Sequence, residues 1–222
     1  MRLLVIMATI AIATLVGCAT PPIEGPHATT PEGRLCCRSL ALTPSRSAIV
    51  RTAAKLVGAI SIRSRGQQIS YDCAGVARAI YLEHGIDLYE GGASDPHANG
   101  VRIIYTHLQQ HGGFHRRPVA LPGDLVFFDN TWDFNGDGTL NDPLTHIGVV
   151  ERVEPDGTVI FISRVAAAVE RYRMNLTRPH VHKTAEGRIL NDYIRRKLPT
   201  DSAGMQRLTG QLFSFYGTRL AP

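Results

Sequence analysis

The chain has 222 residues, 24 Lys plus Arg against 19 Asp plus Glu, and a formal charge of +5 with no block of like charges. That length suits one domain with a single sizeable core, and a charge so evenly spread fits an anionic wall polymer and a merely soluble protein equally, so charge decides nothing; no nucleic-acid partner is expected. Four cysteines give no readable disulfide framework: Cys36 and Cys37 are adjacent, and neighbouring Cα atoms about 3.8 Å apart fall short of the roughly 4.4 Å that a relaxed bridge needs.

The first residues, MRLLVIMATIAIATLVGC, join Arg2 to an apolar run too short for a stable membrane span and end on Leu15, Val16, Gly17 and Cys18. They predict a secretion signal over residues 1–17. Those last four residues resemble the lipobox of bacterial lipoproteins, which implies that Cys18 becomes a lipidated first residue. A residue other than Asp after it implies a lipid anchor on the periplasmic side of the outer membrane, where the envelope has one. Residues 18–45, rich in Pro, Thr, Gly and Ala without apolar period, predict a flexible tether, and residues 46–222 the folded domain.

Ile49, Ala53, Leu56 and Val57 recur at helical spacing and stop at Gly58, predicting a first helix over 46–58. After a polar link, the run Cys73 to His84 repeats apolar residues at Val76, Ala77, Ile80 and Tyr81, stops at Gly85 and has Asp72 at the N-cap position. Cys73 is then the first residue of a second helix. A third is predicted around Val101, Ile104 and Leu108. From Leu121-Pro122-Gly123 the period changes to that of strands: DLVFF, THIGVVERV and TVIFISRV, the last two joined by Glu-Pro-Asp-Gly. Helices first and an antiparallel sheet second predict an α+β architecture with a C-terminal extension from about 177 carrying two more helices, near 188–197 and 205–216; a monomer is expected.

A cysteine at a helix start meets unpaired N–H groups and the positive end of the dipole, which favour a thiolate. Of nine histidines, only His146 opens a strand of a sheet that could face the helix. His84 reads as a capping residue at a helix end, and His180 and His182 flank a loop. If residues 154–157 form the hairpin loop, Val153 faces Thr158, Gly148 faces Ser163, and Ser163 shares a face with His146 one pair along, placed to orient the imidazole. A one-residue change in loop length would move it to the other face.

DCAG at a helix start, then PGDLVFF, then THIGVV resemble the NlpC-type papain-like cysteine peptidases of bacterial walls and, in the order Cys before His, the related CHAP amidases. The resemblance spans roughly residues 46–176. It implies N-terminal helices on a central antiparallel sheet, Cys73 as nucleophile, His146 as base, Ser163 at the third position, a peptidoglycan peptide as substrate and no required cofactor. Ala74 stands where the family usually has Ser, and Ser163 where it commonly has His. The Tyr that many relatives place about a dozen residues before the cysteine has no counterpart in residues 51–70, and Tyr71, beside Asp72, is the one nearby phenol.

Between the second motif and His146, Asp133, Asn135, Asp137 and Gly138 fall at positions one, three, five and six of a calcium loop, with Leu144 where the bidentate acid belongs and Asn141 and Asp142 as substitutes. The other reading is an Asx-rich turn that satisfies its own backbone. Trp132 and Tyr105 suit sugar stacking or plain packing. The expected function is thiol hydrolysis of an amide in wall peptide. The alternatives are a catalytically weak module of the same fold that binds wall peptides or a partner protein, and acyl transfer to or from lipid.

Overall fold

The computed structural model describes residues 44–92, 98–116, 119–199 and 201–221. The signal segment and nearly all of the tether, with Cys18, Cys36 and Cys37, lie outside the described residues. Ser45 opens α1 (Arg46–Lys55), its hydroxyl accepting from the Ala48 amide. A short hairpin follows, β1 (Ile62–Ser64) with β2 (Gln67–Ile69). Then come α2 (Cys73–Leu82) and α3 (Gly100–His111), capped by Asp72 and Asn99. The remaining strands are β3 (Gly113–His115), β4 (Leu125–Phe128), β5 (His146–Val153), β6 (Val159–Arg164), β7 (Val169–Met174) and, after the single turn α4 (Thr209–Leu212), β8 (Phe213–Thr218). Six of them form one antiparallel sheet in the order β3-β8-β4-β5-β6-β7. This is the α+β layout expected.

Strand alternation sends apolar residues to both faces of the sheet. Leu125, Phe127, Ile147, Val149 and Ile162 pack with Ile49, Ala53, Val76, Ala77, Ile80 and Ile104 of the three helices. Val126, Phe128, Val150, Phe161 and Met174 face the other way and are covered by Ile194, Leu212 and other residues of the C-terminal segment. Close approach explains two glycines: a Cβ on Gly75 would collide with the Ser70 carbonyl oxygen, and one on Gly148 with the Phe161 ring.

The Pro-Gly-Asp turn before β4 is a structural lock. Asp124, fully buried, pairs with Arg46 at 2.8 Å and accepts from the Leu121 amide and from His115. Tyr81 of α2 donates to the Gly123 carbonyl at 2.5 Å.

The C-terminal segment departs from expectation. Residues 188–197 form turns and isolated bridges, and 205–216 contain only α4 before β8 begins. β8 lies between β3 and β4, so this segment completes the sheet and is no appendage. Its residues Phe213–Thr218, FSFYGT, are short and aromatic, a run that period alone does not separate from a helix. β1, β2 and β3, three residues each, are too short to show alternation.

Candidate active site

Cys73 is the first residue of α2, where Asp72 Oδ1 accepts from the Gly75 amide at 2.7 Å. The half-buried thiol packs against the helix-side core and lies against the backbone N–H of Ile147, the second residue of β5. The helix start and the strand start therefore meet.

His146 is buried, 7% exposed. Sheet alternation groups it with its strand partner Phe128 and with Ser163 on the face turned away from the helices, while Ile147 faces α2. The imidazole thus does not point at the helix from within a strand, as expected. It sits at the strand's first position, and the cysteine reaches the backbone beside it.

Ser163 does share a face with His146, for a reason the sequence hides. The turn after β5 is one residue longer than expected, pairing Val153 with Val159, and a bulge at Glu151 restores the register, so that Val150 meets Phe161 and Val149 meets Ile162. Extra residues on the two sides of the hairpin cancel. Ser163 Oγ lies 2.9 Å from His146 Nε2 and 2.7 Å from the Ile147 carbonyl. A carbonyl only accepts, so the hydroxyl proton goes to Ile147, and Ser163 accepts from Nε2–H. That bond fixes the tautomer with its lone pair on Nδ1, the form a base needs.

Burial dominates the proton affinities. It pushes the Cys73 thiol up to about 12, reinforced by the Asp72 charge and opposed by the amides of Ile147, Ala74 and Cys73. It brings the His146 imidazole down to about 3. Neither group perturbs the other, so the resting pair is neutral thiol and neutral imidazole. The helix start alone had pointed to a ready-made thiolate; desolvation outweighs it here.

Tyr71, the phenol beside Asp72 in sequence and a candidate for the vicinity of the site, is engaged elsewhere. Its hydroxyl lies between the carbonyls of Ala59 and Ala167, at 2.8 and 2.7 Å, and ties the loop after α1 to the β6–β7 connection. Asp72 is occupied as the cap. The phenol near the thiol is Tyr89, buried enough to be raised to about 12, with Asp72 and Cys73 adding to the rise. The sequence marks it only as an aromatic after a helix.

Of the calcium candidates, Asp133, Asn135, Asp137 and Asn141 share one exposed loop. Asp133 accepts from the Gly136, Asp137 and Gly138 amides, and Asp137 from Thr139, Asn135 and Asn141. Bonds from Thr139 and Asn141 hold the Asp137 carboxyl down to about 2. Asp142 stands apart, buried and bridged to Asn130 through its backbone. No three His, Cys, Asp or Glu converge as metal ligands among the described residues.

A cleft of about 670 Å³ opens beside His146, with Trp132 on its wall and Arg195, Arg196, Lys197 and Arg207 contributed by the C-terminal segment. Sequence reading missed this cationic wall, although its signal, Arg195-Arg196-Lys197, is visible. Tyr105 belongs to a separate aromatic group with Phe114 and Phe215.

Cys73, at a helix start, thus abuts the strand that His146 opens, and Ser163 fixes the tautomer of that histidine. No family model matches the sequence. Over 133 residues it is 26% identical to a gamma-D-glutamyl-L-lysine dipeptidyl-peptidase of Bacillus cereus, a match that covers 60% of this chain and 33% of that protein. The chain thus spans about a third of the length of this curated relative. It is also similar to the crystal structure of an NlpC/P60 family protein from Bacillus cereus, at 17% identity and a TM-score of 0.41, over 81% of this chain and 41% of that one.

Proposed function

We propose that the chain is a cell-envelope cysteine peptidase that hydrolyses an amide bond in peptidoglycan peptide. The observation that carries this reading is the fixed tautomer of His146, held by Ser163, at the strand start that Cys73 abuts.

In this scheme Nδ1 of His146 takes the proton of the Cys73 thiol. The sulfur attacks the scissile carbonyl, and the backbone N–H of Cys73 receives the oxyanion. The imidazolium protonates the leaving amine, which departs with a thioester left on Cys73. Water, deprotonated by the same ring, hydrolyses the thioester and restores the thiol. A neutral resting pair fits general-base activation within the attack better than a standing ion pair.

Incubating the protein with purified wall and identifying released fragments tests the reading. Peptides with new amine termini, absent with Cys73→Ala, are expected; binding without release would leave a passive wall-binding module. Lipid anchoring through Cys18 is part of the proposal, and Cys18→Ser should leave an unprocessed or soluble species. Persistence of a processed, membrane-bound form would overturn it.

A further inference from the structure

The cleft beside His146 has one sign of charge. Arg195, Arg196, Lys197 and Arg207 line it and no acidic residue does. Arg195 is the informative one: it is 4% exposed, yet its polar contact is a single 2.7 Å bond from Nη1 to the Asn130 carbonyl. Its Nε has no partner, and no carboxylate of the described residues forms an ion pair with it, although Asp142 shares Asn130 as a neighbour. Arg207 Nε is likewise buried without a partner, its guanidinium stacked 4.8 Å over the half-exposed Tyr193 ring.

A guanidinium taken out of water without a counter-charge is unfavourable unless something else supplies the charge. The wall has what binding an anion requires: a buried forked donor with a free N–H, further cations around it, and half-exposed Trp132 and Tyr193 for the apolar part of a ligand. We infer that the C-terminal segment builds a carboxylate-binding subsite on the imidazole side of the cleft, with Arg195 as its anchor. The ligand is a short peptide with a free carboxylate within a residue or two of the bond presented to His146. This deepens the proposed function, on which it rests for the position of the scissile bond. Tyr193, Arg195 and Arg207 are specificity determinants, remote from the reacting atoms.

The test is binding to the full-length Cys73→Ala protein, so its outcome does not depend on catalysis. Trp132 is the only tryptophan in the chain and lines the cleft, so its fluorescence reports occupancy. The probes are L-alanyl-γ-D-glutamyl-L-lysyl-D-alanine and a twin whose carboxylates are carboxamides. The carboxylate peptide should bind about ten-fold more tightly, a gap typical of one charge-assisted contact. Arg195→Gln should close that gap, with the twin's own affinity unchanged. Arg207→Gln and Lys197→Gln, at less buried positions, should each narrow it should Arg195→Gln fail to fold. Equal affinity for the twins, or equal loss of both in the arginine variants, would overturn the subsite. Tighter binding of a glycerol-phosphate polymer than of the peptide would overturn its assignment to carboxylates. Failure of wild-type protein to release wall fragments, with the ten-fold gap intact, would sink the peptidase reading alone.

Discussion

At Ser163 a hydroxyl has one proton to give, and giving it to Ile147 leaves its oxygen to receive Nε2–H of His146. Ser163→Ala removes the acceptor but not the base. The rate of wall-fragment release should fall about ten-fold, while His146→Ala should end it. Equal losses would mean that Ser163 holds the fold and not the tautomer. His146 also ties stability to acid. Its folded pKa is about 3, against about 6.5 in the unfolded chain, so the unfolded state binds more protons between those values. The stability this group supports is complete above roughly pH 6.5 and is lost as pH falls toward 3, on the order of 5 kcal/mol in all. Urea midpoints at pH 7 and pH 4 should differ less in His146→Gln than in wild type; the same difference in both would place the acid sensitivity elsewhere. For Cys73 the direction is opposite: the protonated thiol is favoured, so alkylation by iodoacetamide should rise only well above the roughly 8.5 of a free cysteine.

Among the elements, those that form from local pattern were legible and those that depend on distant partners were not. Asp72 places the start of α2, and alternation places β5 and β6, because capping and period are written in consecutive residues. The bulge at Glu151 was not legible. It is stabilised from β7, where Arg171 grips the Glu151 carboxylate at 2.8 Å from two nitrogens. Register at Ser163 was therefore right through two compensating residues. Arg171→Ala should loosen the bulge and lower His146-dependent activity without touching the site; unchanged activity would show that the hairpin keeps register unaided. In the loop from Asp133 to Asn141 the carboxylates are already engaged by loop amides and side chains. Such a turn should melt at the same temperature in calcium and in chelator, while Asp133→Ala should lower the melting temperature in both. A rise specific to calcium would make the loop a binding site after all.

For the whole molecule, the long-range order of strands was the part hidden from the sequence. β8 is last in the chain yet lies between β3 and β4, and nothing local to Phe213–Thr218 says where it will pair. The same segment carries Ile194, Leu212 and Tyr216 onto the second apolar face and Arg195 to the cleft. A motif-based boundary near 177, drawn after the last recognisable strand, would therefore cut through the sheet. Removing residues 177–222 should leave β4 without one neighbour and expose Val126, Phe128 and Phe161, which are fully buried in the intact chain. Burial of each such side chain contributes about 1.5–3 kcal/mol, so losing several removes a large part of a stability of roughly 5–15 kcal/mol. The truncated protein should accumulate as aggregate, or remain soluble without a cooperative thermal transition, because an open strand edge beside an apolar face pairs with other chains. Circular dichroism melts of the two lengths decide the matter. A truncated chain that melts cooperatively near the full-length temperature would make the C-terminal segment separable, as its sequence had suggested.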